Sequence, residues 1–224
     1  NGIASYEIPT LQYFAIAYGD FRDVCSTTIS SNTVINNKVT DISYLSNLNP
    51  TTKNAIKYLS LENNRITSIE SLKDFKNIYL LRIQNNLLKS LSGIENMKEL
   101  TYLYVRNNML GSETEISNSM NIDMDSLSAI AEVDTSSGNI DSYIFTANNP
   151  KLYSIDLSNN ENLIWCNYLA DCKNISYLDL SNCNNLNGNA IISLRTTINR
   201  IGQNAKIASK YSLSILDENT TKID

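Results

Sequence analysis

The pair "NN" returns along this chain at a constant interval. In "LSLENNRI", "LRIQNNLL" and "LYVRNNML" the second asparagines, Asn64, Asn86 and Asn108, stand 22 residues apart. Leu59, Leu81 and Leu103 keep the same interval, and so do Leu61, Ile83 and Val105. Self-similarity at a fixed period in the twenties means that one small unit is repeated, and a unit of that size cannot bury its apolar face alone. Burial requires stacking on identical neighbours, so the chain is expected to form a solenoid.

Within each unit the apolar pattern divides in two. Leu59 and Leu61 flank Ser60 with a period of two, the alternation of a short strand whose side chains point to opposite faces. Asn64 falls where the chain must leave that strand. Its amide can satisfy backbone groups of its own turn and of neighbouring coils, which predicts a ladder of stacked asparagines. In the second half, "ITSIESLKDFKNI", Ile66, Ile69, Leu72, Phe75 and Ile78 recur at every third residue, the period of 3₁₀ or irregular helix.

The period extends in both directions. Upstream, "TVINNKVTDISYLSNLN" places Asn37 at the ladder position and Val39, Ile42, Leu45 and Leu48 on the three-residue period, followed by an expansion around "NPTTK". Downstream, "YSIDLSNNENL" and "ISYLDLSNCNNLNG" realign, with Cys183 standing 23 residues after Asn160 in place of an asparagine. Counting back from Ile155 assigns Ala131–Val133 as an intervening strand. "NGNAIISLRTTINRIGQ" reads as an amphipathic helix and "AKIAS" as a final strand. The expected architecture is an α/β solenoid with about eight parallel strands on a concave face and 3₁₀, irregular and some helical structure on the convex face. Residues 1–28 are expected to cap one end, 29–209 to form the repeats, and 210–224 to form a C-terminal cap or tail.

"LSLENNRITSIESLKDFKNI" and "LRIQNNLLKSLSGIENMKEL" resemble the 22-residue leucine-rich repeats of the bacterial internalin type, and the phosphatase-regulator type of equal repeat length is similar. "LDLSNCNNLNGNAIISL" is more similar to the cysteine-containing leucine-rich repeat, whose convex side is helical. The resemblance implies a horseshoe whose concave sheet binds another macromolecule, usually a protein. The cysteine-rich flanks of animal extracellular leucine-rich repeats are missing from this chain.

Composition removes most catalytic chemistry. Histidine is absent, so Ser-His-Asp and Cys-His catalysis and His-based zinc sites are excluded. The seven glycines are never close enough for a phosphate-cradling loop. Paired carboxylates remain but are common on any acidic surface, so no enzyme, cofactor or metal is expected. Cys25, Cys166, Cys172 and Cys183 contain no CxxC; a Cys166–Cys172 disulfide and buried thiols are both open readings. A net charge of −5 disfavours nucleic acid, and no apolar run reaches the roughly 18 residues of a membrane span. The opening "NGIASYEIPT", without initiator Met or signal-type h-region, reads as a mature form or excised domain.

Strand alternation identifies the side chains of the concave face. The candidate binding residues are Tyr58, Leu80, Arg82, Tyr102, Tyr104 and Arg106 in the early coils. Glu132, Asp134, Asp156, Tyr177 and Asp179 follow in the later ones. Tyr and Arg are enriched at interface hot spots because each covers a large area and still offers polar contacts. The later acids are expected to pair with Arg82 and Arg106 or to attract a basic partner. Between Arg106 and Lys151 the chain carries seven acids and no base, leaving 18 basic against 16 acidic residues elsewhere. The expected function is a secreted or cell-surface recognition module for a protein, or secondarily a glycan. The alternatives are a cytoplasmic adaptor docking on a partner enzyme and a structural spacer.

Overall fold

A computed structural model describes residues 13–15, 39–94, 96–111, 149–164, 166–208 and 211. Seven strands form one parallel sheet in chain order: β1 (Tyr13–Ala15), β2 (Tyr58–Ser60), β3 (Leu80–Arg82), β4 (Tyr102–Tyr104), β5 (Ser154–Asp156), β6 (Tyr177–Asp179) and β7 (Ala205–Lys206). Each strand pairs only with its sequence neighbours, so the sheet stays open between β1 and β7. This is the solenoid expected from the period, with the open sheet of the horseshoe that the resemblance implies.

The middle residue of each strand points inward. Leu59, Leu81, Leu103, Ile155 and Leu178 are all fully buried and stack in register through the sheet. The three-residue period packs behind them, with Ile69, Leu72, Phe75 and Ile78 of one coil and Leu91, Ile94, Met97 and Leu100 of the next at 1% exposure or less. Short 3₁₀ turns at Ser43–Asn47, Glu70–Leu72 and Asn167–Ala170 carry this outer wall. Burying each such side chain contributes about 1.5–3 kcal/mol, and it does so only against the adjacent coils.

The asparagine ladder forms as expected. The Asn86 amide donates to Ile83 O of its own coil at 3.0 Å and to Leu61 O of the previous coil at 2.9 Å, while its Oδ1 accepts Ile66 N–H at 3.0 Å. Asn108 repeats this arrangement against Ile83, Val105 and Leu88. Cys183 takes the last rung, its thiol donating to Leu157 O at 3.2 Å.

The preceding asparagine of each pair makes a second ladder that the sequence reading did not foresee. Asn63, Asn85, Asn107, Asn159 and Asn182 all have φ between 54 and 61°. Asn is one of the few non-glycine residues that tolerates this left-handed conformation. Asn85 donates to Asn63 Oδ1 at 2.7 Å, Asn107 to Asn85 at 2.9 Å and Asn182 to Asn159 at 2.7 Å. "NN" therefore combines a turn residue with a buried cap.

The structure adds to the sequence reading in several places. β4 pairs directly with β5, and Ala131–Val133, assigned as a strand between them, lies with Glu132 and Asp134 outside the described residues. The edge strand beside β2 is Tyr13–Ala15, within residues 1–28, and the described residues supply seven strands of the sheet. The expansion around "NPTTK" is a helix, α1 (Pro50–Ala55), because Asn49 accepts Thr51 N–H at 2.8 Å as its N-cap and Pro50 suits the first turn. The C-terminal helix forms as two pieces, α2 (Gly188–Ser193) and α3 (Arg195–Ile201), broken at Leu194.

Candidate functional site

The concave face carries two side-chain columns. Tyr58, Leu80, Tyr102, Ser154 and Tyr177 are in register across β2–β6. Ser60, Arg82, Tyr104, Asp156, Asp179 and Lys206 form the second column. The sheet thus brings Tyr58, Leu80, Arg82, Tyr102 and Tyr104 together on three adjacent strands. Arg106 follows just beyond β4 and is exposed, as is Arg82.

Two tyrosines that alternation did not assign to this face join it. Tyr79 and Tyr153, 36% and 47% exposed, immediately precede β3 and β5. Their rings link the first column into a band with edge-to-face geometry. Tyr58–Tyr79 centroids are 5.9 Å apart, Tyr79–Tyr102 5.3 Å and Tyr102–Tyr153 6.2 Å. The reason alternation fails lies in the backbone. Tyr79 N–H and Leu80 N–H both donate to Lys57 O, at 2.7 and 3.0 Å, and Tyr153 and Ser154 do the same to Thr101 O. Successive coils repeat this two-donor entry, with Thr101 and Tyr102 N–H on Tyr79 O, so strict alternation does not extend to the residue before each strand. The signal was present as tyrosine recurring at the position just ahead of the strand.

The positive and negative halves of the face differ in how far their charges are already satisfied. Arg82 stands 5.9 Å over the Tyr104 ring, a cation–π contact. Neither Arg82 nor Arg106 forms an ion pair among the described residues, so the expected pairing with Asp156 and Asp179 does not occur. Asp156 Oδ1 instead accepts Ser158 N–H at 3.0 Å and Ser158 Oγ–H at 2.6 Å. Asp179 is 7% exposed and accepts from Ser181 N–H, the Tyr177 hydroxyl and Lys206 Nζ at 3.0–3.1 Å. Burial works against the Asp179 carboxylate, but these donors outweigh it and hold its pKa below the ordinary value. The hydrogen bond to Tyr177, and then Asp179, raise Lys206 in turn. A hydrogen bond with Tyr102, with burial adding to it, raises the Tyr79 phenol. The local sequences "DLS" explain both carboxylates, since an Asp side chain readily caps the backbone two residues on.

Cys166, Cys172 and Cys183 lie in the core as thiols. Burial pushes Cys172 and Cys183 up to about 11, so neither is an activated nucleophile. Among the described residues no three His, Cys, Asp or Glu side chains converge as a metal site, and no helix is long and apolar enough to cross a membrane.

The repeated coil, the asparagine ladder and the open parallel sheet define a leucine-rich-repeat solenoid with a tyrosine–arginine concave face. No family model and no curated protein matches the chain. Among solved structures it is similar to internalin C2 of Listeria monocytogenes, at 19% identity and TM-score 0.45, over 64% of this chain and 48% of that one. A leucine-rich-repeat protein of Leptospira interrogans matches at 19% identity and TM-score 0.44, over 74% of this chain and 38% of that one. Internalin F of Listeria monocytogenes matches at 20% identity and TM-score 0.31, over 84% and 70%. The chain spans about half or less of the length of the first two.

Proposed function

We propose that this chain is a non-enzymatic recognition module, part of a secreted or cell-surface bacterial protein, that binds a partner protein on its concave face. The observation that carries the reading is the band Tyr58–Tyr79–Tyr102–Tyr153 beside Arg82 and Arg106. Large aromatic groups and guanidinium groups left accessible on a sheet whose other charges are internally satisfied supply the contact area and orientation of an interface centre. The rigid stacked backbone holds them in place, so little ordering cost accompanies association. A surface location follows the internalin-type resemblance of the repeats.

The test is a paired capture from host-cell membrane extract and from cytosolic lysate. Wild-type bait is run beside Tyr102→Ala/Arg106→Ala, with circular dichroism verifying that the variant folds. A partner taken from membrane extract by wild type and lost by the variant supports the reading. Equal retention by both baits refutes the concave site, and a concave-dependent partner found only in cytosol refutes the surface location.

A further inference from the structure

Resting on that reading, we infer that the partner presents an acidic polypeptide segment, and that it seats across β2–β4 with its carboxylates on Arg82 and Arg106. The argument is one of charge complementarity. The whole chain is acidic at −5, yet the middle of its concave face exposes two guanidinium groups that no described carboxylate neutralises. Arginine at such a position offers a planar fork of donors matched to a carboxylate.

The acids that share the face are occupied in other ways. Glu62 is committed to the Gln84 amide, Asp156 to Ser158, and Asp179 to Ser181, Tyr177 and Lys206. The basic side chain at the β7 end is therefore spoken for, and the cationic character that remains for a ligand is concentrated on β3 and β4. Tyrosine hydroxyls add donors of their own. Tyr79 is engaged with Tyr102, but Tyr153 stands exposed, and its phenol suits a carboxylate or backbone carbonyl laid along the band.

Geometry selects a polypeptide over a long polyanion. Arg82 pairs across the sheet with Tyr104, and Arg106 follows two residues later, so the two positions are roughly 5 Å apart across the sheet and roughly 7 Å apart along the chain direction. That offset matches acidic side chains alternating along an extended peptide. A nucleic acid or sulfated glycan requires a run of bases along its whole track. Here the column beyond Arg82 and Tyr104 continues into Asp156 and Asp179, which repel such a polymer.

The experiment measures fluorescence anisotropy of three labelled probes against the intact chain: a Glu-Tyr copolymer, a Lys-Tyr copolymer and dextran sulfate. Variants are Arg82→Gln/Arg106→Gln, Tyr79→Ser and, as a face control, Asp156→Asn. The expected result is binding of the Glu-Tyr copolymer that weakens at least about tenfold in the double arginine variant and falls with added salt. Tyr79→Ser weakens it while leaving the salt dependence in place, and Asp156→Asn binds no more weakly than wild type. No binding of the Glu-Tyr copolymer up to about 1 mM overturns the inference. So does preferential binding of dextran sulfate. Binding of the Lys-Tyr copolymer that depends on Tyr79 overturns the acidic partner but keeps the concave face as the site. Glu-Tyr binding that none of the substitutions alters overturns the concave face as well.

Discussion

Replacing Asn86 with alanine tests whether the buried ladder holds the solenoid together. Asn86 is 5% exposed, and its side chain makes hydrogen bonds within its own coil and to the preceding one. The consequences are unequal. Leu61 O keeps the Asn64 amide at 3.0 Å, and Ile83 O keeps the Asn108 amide at 3.0 Å, so each carbonyl loses one of two partners. Ile66 N–H loses the only acceptor identified for it and is left buried without a bond. An orphaned donor costs about 1–3 kcal/mol and each lost second bond about 0.5–1.5 kcal/mol, which places Asn86→Ala near 4 kcal/mol destabilised. That is a large part of the roughly 5–15 kcal/mol available to a domain. Urea unfolding followed by circular dichroism measures it as a shift of midpoint at constant slope.

A companion variant, Asn86→Asp, separates hydrogen bonding from packing. The carboxylate would face Leu61 O and Ile83 O, so its folded pKa must rise above the unfolded value of about 3.9. Stability lost to the substitution is then restored below about pH 4 and disappears as pH rises through the folded pKa. An Asn86→Ala cost under about 1 kcal/mol, or an Asn86→Asp deficit independent of pH, would refute the ladder account.

Three further outcomes follow from other parts of the coil. Gly93 has φ +119°, and an added Cβ would lie 2.1 Å from Ile69 O of the previous coil, so Gly93→Ala costs about 3 kcal/mol or more; Gly202→Ala, at φ +55° in open space, costs about 1 kcal/mol by the same urea assay. Cys172 and Cys183, with thiol pKa raised to about 11 from 9.0, react with a disulfide reagent about 100-fold more slowly than ordinary thiols at pH 8, read by absorbance with and without denaturant. Because the folded pKa is the higher one, the stability tied to each thiol is full below pH 9 and is lost as pH rises toward 11; Cys172→Ala flattens that part of the profile. Finally, replacing residues 112–148 with the seven-residue "SLSGIEN" of residues 90–96 keeps the Leu110 N–H to Asn160 Oδ1 bond and the β4–β5 pairing. The shorter loop gains roughly 1 kcal/mol at the urea midpoint, and an unfolded product would sink the claim that the scaffold is continuous there.

The legibility of this chain follows its chemistry. Strand alternation and the three-residue period were readable because both are local consequences of which face must be buried. The same holds for Asn64, Asn86 and Asn108, whose spacing alone requires that they stack. The left-handed Asn63, Asn85 and Asn107 were written in the same "NN", but their role depends on the turn between strand and outer wall. Between Asn108 and Asn160, 52 residues apart, the period has no anchor, so counting back from Ile155 to Ala131–Val133 could not foresee that β4 pairs directly with β5. In the structure β4 finds its partner at β5 by burial and pairing, not by sequence distance.

By itself the sequence determined the repeated coil, the direction in which each apolar side chain points and the absence of histidine chemistry, since these follow from spacing and composition. Only the tertiary structure decided which charges remain available. Asp156 and Asp179 met Ser158, Ser181 and Lys206, not the arginines, because capping geometry and the register of β7 brought those groups closer. Tyr79 and Tyr153 joined the tyrosine band because, at each strand entry, two successive amide groups bond one carbonyl of the preceding coil and strict alternation stops there, a pairing that exists only when coils stack.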